Sequence, residues 1–272
     1  MTAREALAEG AEALEQAGCP SPAVDAEWLL GHVLGLRRSE LLTAVELDGG
    51  QVARFRELVA RRATREPLAY ILGEWGFQRL TLAVDPRVLI PRPETEGVVE
   101  RCLALLEGVA DPLVLDVGAG SGAIALALAD ERPDALVVGT DISAGALEVA
   151  EANRLRAELD GRVRFLRGDL LAGELGPFDL VVSNPPYVAP GELDALEPEL
   201  RHEPREALVG EGRHEAVALA ARETLAAGGA LVLEVGDGQA AAVAGLLREL
   251  GFGDVLISSD LAGRERIVEG RR

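Results

Sequence analysis

The chain has 272 residues, 48% of them hydrophobic and 3% aromatic, which suits one large domain or a medium-sized domain with a smaller one attached. Its formal net charge is −19 at pH 7, and all 27 of its basic residues are arginine. Duplex nucleic acid is held by basic groups that displace counterions, so this charge argues against duplex nucleic acid as a partner.

The sequence indicates neither a membrane nor an oxidising compartment. No apolar run reaches about 18 residues, and residues 1–18 carry charges every few positions, so we expect no signal peptide and no membrane anchor. Cys19 and Cys102 lie in unrelated segments without metal-ligand spacing, which predicts two buried, reduced thiols and no metal site. The predicted location is the cytoplasm.

Residues 1–75 have a helical pattern and are predicted to form a small N-terminal domain. Ser21 followed by Pro22 predicts the start of one helix, because serine is a good N-cap and proline suits the first helical position. Ser39 predicts the cap of a short helix over residues 40–45.

A third helix is predicted over residues 51–65, ending before Pro67. One stripe of this helix is apolar and is expected to face the core: Val52, Phe55, Leu58 and Val59. The arginines around the stripe are expected to form a solvated face, and a docking role for them stays open: Arg54, Arg56, Arg61, Arg62 and Arg65.

Residues 76–92 alternate apolar and polar positions and are predicted to form a β-hairpin linker with its turn at Asp85-Pro86. After this linker, the stiff entry Pro91-x-Pro93 leads into an amphipathic helix, which begins the predicted catalytic domain, residues 93–272.

From residue 113 onward, short β-branched runs alternate with helical stretches. The predicted strands are 113–118, 135–141, 163–169, 178–184 and 230–236, followed by a terminal β-pair at 254–260 and 265–270. The predicted helices between them are 121–130, 143–159, 213–227 and 236–250. Strands and helices alternating at this spacing predict an α/β fold, in which a doubly wound parallel sheet is covered on both faces.

Ligands of such sheets bind outside the carboxyl ends of the strands. The first strand runs into a glycine turn with Gly118, Gly120 and Gly122, where the backbone approaches a ligand closely. The second strand ends in Asp141, an acid placed to accept hydrogen bonds from ribose hydroxyls. The remaining two strand ends carry Asp169-Leu170, suited to an adenine ring, and Asn184.

The glycine turn and Asp141 leave the ligand open. Residues 118–123 also read as Gly-x-Gly-x-x-Ala, which a nicotinamide-binding fold tolerates, and some glycine turns only connect elements. The stretch Ser183-Asn184-Pro185-Pro186-Tyr187 decides between adenosyl and dinucleotide ligands.

A planar –NH₂ group is a poor nucleophile, because its lone pair is delocalised. The Asn184 side-chain oxygen and the Pro185 carbonyl can accept its two N–H bonds and hold it facing an electrophile, while Tyr187 stacks on its plane. Proline fixes φ and removes competing N–H donors, so the carbonyl keeps its direction. Hydride transfer has no use for this clamp, whereas methyl transfer from S-adenosyl-L-methionine to a planar nitrogen does.

The chain resembles the release-factor glutamine methyltransferases, the PrmC or HemK family, over essentially its whole length. The resemblance rests on these stretches: "PLAYILGEWGF", "VLIPRPETE", "LDVGAGSGAIALALA", "SNPPYV", "EPREAL", "LEVGDGQ" and "DLAGRERIV". It implies a class I S-adenosylmethionine-dependent methyltransferase fold, Rossmann-like with a seven-stranded sheet, and an N-terminal helical domain that helps to recognise the protein substrate. That substrate is the Gln of the Gly-Gly-Gln motif in bacterial peptide-chain release factors, and the co-product is S-adenosyl-L-homocysteine.

The resemblance also implies roles for single residues. The cofactor would be held by Gly118, Ala119, Gly120, Ser121, Gly122 and Asp141, by Asp169 and Leu170 beside its adenine, and by Asn184. The glutamine would be bound by Asn184, Pro185, Pro186 and Tyr187, with Asn184, Pro185 and Tyr187 as the catalytic residues. Leu170 stands where many relatives have an aromatic residue, so apolar contact rather than ring stacking is expected there. His202 also departs from the family pattern and is expected to be structural.

Two alternatives to this function remain at the level of sequence. A DNA or RNA adenine methyltransferase would clamp an exocyclic amine in the same way, but the acidic charge and the lack of a long insertion for base recognition argue against it. A non-catalytic sensor of S-adenosylmethionine would keep the fold without needing the intact Asn-Pro-Pro-Tyr. We expect direct displacement without a covalent enzyme intermediate.

Overall fold

The computed structural model describes residues 1–41, 46–170, 176–192, 196–260 and 262–272. The chain folds as two units. The first comprises Met1–Glu74 together with Glu197–His202, and the second comprises Trp75–Leu196 and Glu203–Arg272. The first unit is therefore built from two separate stretches of sequence.

The first unit is helical. Its α-helices are α1 (Ala3–Gln16), α2 (Pro22–Leu34), α3 (Gly49–Ala63) and α4 (Leu68–Leu72), and 3₁₀ turns cover Arg38–Glu40 and Pro198–His202. Helix α2 begins as predicted, with Pro22 at its first position, although the Ser21 side chain makes no capping hydrogen bond. Gly35 ends this helix with φ of 64°, a left-handed conformation that glycine adopts without strain.

The short helix expected over residues 40–45 is not found where it was predicted. Ser39 lies inside the 3₁₀ turn rather than before a helix, and residues 42–45 lie outside the described residues. Helix α3 begins two residues earlier than predicted, because the Asp48 carboxylate accepts a hydrogen bond from the Gln51 backbone N–H at 2.8 Å. Its apolar stripe is confirmed, with Phe55, Leu58 and Val59 buried and Val52 packed at its edge.

The expectation of a solvated arginine face on α3 is wrong for Arg62, whose exposure is 4%. Its Nε donates to Asp25 Oδ2 at 2.7 Å, and its Nη2 lies 2.9 Å from Glu199 Oε1. Arg65 forms a two-pronged pair with the same Glu199, at 2.7 Å for both contacts. The acids lie on α2 and on the segment 197–202, distant in sequence, so helical periodicity carried no sign of them.

The second unit contains a two-stranded sheet and a seven-stranded sheet. The first consists of β1 (Glu74–Phe77) and β2 (Leu80–Ala83), which turn at residues 78–79, so the turn predicted at Asp85-Pro86 is wrong. Gln78 has φ of 50°, and its backbone N–H donates to Glu96 Oε1 at 2.9 Å. Asp85 instead forms a local turn outside the strands, accepting a hydrogen bond from the Arg87 backbone N–H at 3.0 Å.

The seven-stranded sheet confirms the predicted α/β fold. Its strands are β3 (Leu113–Val117), β4 (Leu136–Asp141), β5 (Val163–Arg167), β6 (Phe178–Ser183), β7 (Leu225–Glu234), β8 (Gly253–Ser259) and β9 (Glu265–Arg271). The strand order is β5-β4-β3-β6-β7-β9-β8. Strands β3 to β7 run parallel, and β9 pairs antiparallel with both β7 and β8. The terminal β-pair is therefore also confirmed.

Helices cover both faces of this sheet. They are α5 (Pro93–Leu105), α6 (Ala123–Glu131), α7 (Ala144–Arg156), α8 (Arg205–Leu208), α9 (Arg213–Thr224) and α10 (Ala240–Glu249). The helix predicted to reach residue 227 ends at Thr224, because Leu225 already pairs with Phe178 as part of β7.

Successive strand residues face two different cores. On β3, for example, Val114 packs with α5 and α6, whereas Leu115 packs with α9 and α10. Leucine, valine and alanine make up most of both cores, as the scarcity of aromatic residues required. Cys19 and Cys102 are buried free thiols. Within the described ranges no helix has the length and apolar character needed to cross a membrane.

Arg62→Ala should destabilise the helical unit by about 3–5 kcal/mol, because it leaves the buried Asp25 without its cation and Glu199 with only one of its two arginines. The measurement is urea unfolding followed by the fluorescence of Trp28 in a Trp75→Phe background. Arg54→Ala is the matched control on the same helix. Its ion pair is exposed, so it should change stability by less than about 1 kcal/mol. Equal unfolding midpoints for the two variants would contradict a buried ion cluster.

Candidate active site

Four adjacent parallel strands are in register, so that their carboxyl ends lie level along one edge of the sheet. The last paired positions are Val117 with Thr140, Val117 with Ser183, and Ser183 with Leu233. The residues that follow this row are Gly118, Asp141, Asn184 and Glu234. A glycine turn, two carboxylates and an amide thus lie side by side at the carboxyl ends of adjacent strands.

A cavity of about 300 Å³ opens at this edge. Most of the residues predicted from sequence line it: Gly118, Gly120, Asp141, Asp169, Leu170, Asn184, Pro185 and Pro186. The other four predicted residues are not among the lining residues: Ala119, Ser121, Gly122 and Tyr187. The predicted site is therefore brought together, with part of it forming the wall behind the cavity.

The glycines of the turn have two different roles. Gly118 and Gly120 have φ of 78° and 55°, and a Cβ at either would meet no atom of the described residues within 4 Å. Their backbone is therefore open to a ligand. Gly122 has φ of 83°, and a Cβ there would lie 2.9 Å from the Phe165 ring, so this glycine is required for packing. Ser121 is buried in the wall, where its carbonyl accepts a hydrogen bond from Asn153.

Asp141 fixes the glycine turn as well as facing the cavity. Its Oδ2 accepts a hydrogen bond from the Gly120 backbone N–H at 2.9 Å, and its Oδ1 accepts one from the Ser143 N–H at 2.9 Å. Each carboxylate oxygen has a further lone pair, so the group can still accept hydrogen bonds from a ligand.

Asp116 lies behind the glycine turn and is 1% exposed. Its Oδ2 accepts a hydrogen bond from the Ala125 backbone N–H at 3.1 Å, while its Oδ1 finds no partner among the described residues. Burial raises the pKa of Asp116 to about 7, an effect that this hydrogen bond partly offsets and the charge of Asp141 reinforces. A cluster of acids around this turn favours a cationic ligand.

The side of the cavity predicted to hold an adenine ring contains two residues that sequence reasoning missed. Arg213 at the start of α9 donates to Asp169 Oδ1 at 2.7 Å, and this contact lowers the pKa of Asp169. Ile142 is 49% exposed and lines the cavity directly after Asp141. An apolar residue that follows a strand-ending acid was the available signal for Ile142, whereas nothing in the sequence pointed to Arg213.

Leu170 reaches the cavity through an unusual backbone conformation. Its φ is 58°, and its carbonyl accepts a hydrogen bond from Thr140 Oγ1 at 2.9 Å. It presents an aliphatic side chain packed on the sheet, so any contact that it makes with a ring is apolar.

The Asn184 side chain is held from behind the cavity wall. Its Nδ2 donates to Thr95 Oγ1 at 3.3 Å, and Thr95 Oγ1 donates to Glu234 Oε2 at 2.6 Å. The Asn184 side chain also lies close enough to the Glu234 carboxylate to lower its pKa. Thr95 and Glu234 are 4% and 2% exposed, so this network is shielded from water.

The chain that leaves Asn184 is rigid beyond the two prolines. The Val188 N–H donates to the Leu208 carbonyl at 3.0 Å, and the Gly210 N–H donates to the Val188 carbonyl at 3.3 Å. A Cβ at Gly210 would lie 2.6 Å from the Pro186 carbonyl oxygen, so only glycine permits this approach. The strand exit is thus clamped by the segment around residue 209.

Tyr187 is half-buried and packs beside Gly236, where a Cβ would lie 3.0 Å from its ring. Its carbonyl accepts a hydrogen bond from Gln239 Nε2 at 3.0 Å. Burial raises the pKa of the Tyr187 hydroxyl, and the nearby charge of Glu234 adds to this effect. Stacking of its ring on a substrate stays a prediction.

The polar residues of "IPRPETE", whose roles the sequence left open, bind distant stretches of the chain. Glu203 is buried, accepts a hydrogen bond from the Ile90 backbone N–H at 3.1 Å and forms an ion pair with Arg92. Glu94 Oε1 lies 3.1 Å from Arg264 Nη2, which forms an ion pair. Together with the Thr95 contact, these bonds hold the start of α5 against the cavity wall.

Family models match both parts of the chain. The PrmC N-terminal domain matches residues 5–73, and the methyltransferase small domain matches residues 102–224.

Curated relatives are similar along the whole chain. The release factor glutamine methyltransferase of Deinococcus radiodurans is 44% identical over 280 residues, covering 100% of this chain and 99% of the relative. That of Burkholderia pseudomallei is 44% identical over 283 residues, covering 99% and 98%. A crystal structure of a methyltransferase from Pyrococcus furiosus covers 71% of this chain and 88% of its own. At 18% identity and a TM-score of 0.52, that likeness concerns the fold alone.

Proposed function

Because the chain belongs to the release factor glutamine methyltransferase family, we propose that it methylates the side-chain amide nitrogen of the Gln in the Gly-Gly-Gln motif of bacterial peptide-chain release factors. The methyl donor is S-adenosyl-L-methionine. The observation that carries the proposal is that Asn184 and Pro185, the residues of the two predicted acceptors, line the cavity together, while the Asn184 amide nitrogen is hydrogen-bonded to Thr95.

These acceptors suit a planar amide. The glutamine –NH₂ has two N–H bonds, and two acceptors hold both of them while leaving the face of the nitrogen free. Pro185 has no N–H of its own, so it offers only an acceptor. Orientation of this kind can supply about 7–11 kcal/mol of a reaction barrier. Pro186 and Tyr187 complete the wall on which the amide plane would lie.

The residues of the cavity fit the cofactor. The open backbone of Gly118 and Gly120 would receive its amino-acid end, near the acidic Asp116, and Asp141 would accept its ribose hydroxyls. Its adenine would lie on the side of the cavity where Arg213 pairs with Asp169. The residues that would contact it there are Ile142, Asp169 and Leu170. A volume of about 300 Å³ lies at the lower end of the range for small-molecule sites.

When bound, S-adenosyl-L-methionine supplies an electrophilic methyl group on a sulfonium ion and leaves as S-adenosyl-L-homocysteine. The chain's own residues bind the cofactor and the glutamine, orient the two towards each other and exclude water. The nitrogen that gains the methyl group must lose a proton, and the Asn184 oxygen, the Pro185 carbonyl or water can receive it. Ala119, Ser121 and Gly122 keep the glycine turn in shape for this task.

The two units suggest a division of labour. We propose that the helical domain, residues 1–75, recognises the release factor, that residues 76–92 link it, and that residues 93–272 carry out methyl transfer. A release-factor substrate places the enzyme in the cytoplasm, where translation ends.

An adenine amine in DNA or RNA is the second candidate, since the same clamp would hold it. Purified protein incubated with labelled S-adenosyl-L-methionine distinguishes the two, with release factor, total RNA and DNA as parallel substrates. We expect label in release factor, at the glutamine of Gly-Gly-Gln by peptide mass spectrometry. Label confined to nucleic acid would refute the protein substrate, and cofactor binding without transfer to any of the three would favour a sensor.

Asn184→Ala should lower kcat on release factor by about 100-fold, because loss of one acceptor lets the substrate nitrogen turn away from the methyl group. Affinity for S-adenosyl-L-homocysteine, measured by calorimetry, should change much less than kcat. A variant with wild-type turnover would show that the clamp is not part of the reaction.

Asp141→Ala should weaken S-adenosyl-L-methionine binding by at least about 10-fold, because it removes hydrogen bonds to a charged acceptor and frees the Gly120 N–H. Calorimetry on the purified protein measures this effect. The matched control is Glu223→Ala, an exposed acid on α9, which should bind the cofactor like the wild type. Unchanged affinity in the Asp141 variant would exclude the ribose contact.

A further inference from the structure

We propose that Thr95 and Glu234 are positioning residues of this site: they set the direction in which the Asn184 amide faces, so that its oxygen and not its nitrogen meets the substrate. This inference rests on the proposed role of Asn184 as an acceptor, and it adds two residues behind the cavity wall to the Asn-Pro-Pro-Tyr stretch.

The direction of the network follows from counting hydrogens. A threonine hydroxyl has one hydrogen, and Thr95 Oγ1 gives it to Glu234 Oε2 at 2.6 Å. Towards Asn184, Thr95 can therefore only accept. The Glu234 carboxylate, which lies near the Asn184 side chain, is also an acceptor when ionised. Thr95 and Glu234 can therefore only accept hydrogen bonds from Asn184, so the Asn184 –NH₂ must point away from the cavity, towards these two residues.

The same argument fixes the other end of the Asn184 side chain. With Nδ2 turned to Thr95, at 3.3 Å, the carbonyl oxygen is left to face the cavity that Asn184 lines. An amide turned the other way would present a donor to the donor –NH₂ of glutamine, and the clamp would repel its substrate. The backbone alone does not choose between these orientations, because the two ends of an asparagine amide have nearly the same shape.

The burial of Thr95 and Glu234 restricts the Asn184 amide to this one orientation. Thr95 and Glu234 are 4% and 2% exposed, so water does not replace a lost partner, and an unsatisfied buried group costs free energy. The Thr95 contact belongs to the first turn of α5, and Glu234 is the last residue of β7. Two rigid elements therefore hold the ends of the network.

The network should respond to pH through Glu234. Burial raises the pKa of its carboxyl group to about 7, with the charge of Glu94 adding to the rise and Arg266 opposing it. The charge of Glu234 in turn adds to the rise in the pKa of the Tyr187 hydroxyl that burial causes. His214 on α9 bonds only the Glu234 backbone carbonyl, and burial lowers its pKa.

Protonation would reverse the network. A protonated Glu234 can donate to Thr95, Thr95 can then donate to Asn184, and the amide is free to turn its –NH₂ towards the cavity. The active form is the ionised one, so kcat at saturating substrates should fall as the pH drops through about 7. The pKa of Asp116 is also raised to about 7, but Asp116 lies on β3 behind the glycine turn, so its protonation should act on cofactor affinity.

Glu234→Gln tests the direction of the network with little change in shape. The new amide can still accept from Thr95, but its –NH₂ faces the –NH₂ of Asn184 and drives that side chain to turn. We expect kcat with release factor to fall by about 10- to 100-fold, cofactor affinity to stay near the wild-type value, and the loss of activity below pH 7 to disappear. The variant should melt no lower than the wild type, since it removes a buried charge.

Thr95 provides a second, independent test. Thr95→Val keeps the shape but removes the hydroxyl, and should lower kcat by about 10-fold or more, whereas Thr95→Ser restores the hydroxyl and should recover most of that loss. Thr81→Val, an exposed threonine on β2, is the matched control and should turn over like the wild type.

The outcomes separate this inference from the proposed function. If Asn184→Ala loses turnover while Glu234→Gln and Thr95→Val keep the wild-type kcat and pH profile, the positioning role is refuted and the clamp stands. A serine variant at position 95 as slow as the valine variant would also contradict the role of the hydroxyl. Retained turnover in Asn184→Ala would instead overturn the clamp itself.

Discussion

The register of the parallel strands is the constraint on which the site depends. Pairing of Val117 with both Thr140 and Ser183, and of Ser183 with Leu233, sets four strand ends level. A slip of one residue in any of these strands would send its side chains to the opposite face. The acid, the amide and the glycine turn are thus placed by backbone hydrogen bonds of the sheet, before any loop contributes.

Around that edge, stretches far apart in sequence hold one another. The entry to α5 bonds Glu203 on one side, Glu234 on another and Arg264 on a third. Each contact pairs a carboxylate with a donor, and the two carboxylates that bind this entry from outside, Glu203 and Glu234, are buried. This arrangement explains why "IPRPETE", "EPREAL", "LEVGDGQ" and "DLAGRER" accompany Asn-Pro-Pro-Tyr: together they make one polar frame, and rigidity of the site is a property of the frame.

Much of the architecture could be predicted from sequence because it is periodic. Strand alternation predicted the seven strands, the residues at the ends of four strands predicted most of the cavity lining that was named from sequence, and the resemblance to the family added Pro186. Contacts between distant residues left no such trace. The sequence pattern places Arg62 on the surface, whereas the fold brings Asp25 and Glu199 to it. Arg213 differs from other helix residues only in its contact with Asp169. The hairpin turns at Gln78, where Glu96 binds the backbone N–H.

The helical unit is not a contiguous cassette. The chain leaves it near residue 74 and supplies it again with Glu197–His202, and Glu199 from that return segment forms ion pairs with both Arg62 and Arg65. A chimaera that replaced only the first 75 residues with those of another protein would keep Glu199 but lose Arg62 and Arg65, the two arginines that pair with it. An exchange of this unit between proteins therefore has to carry both stretches together.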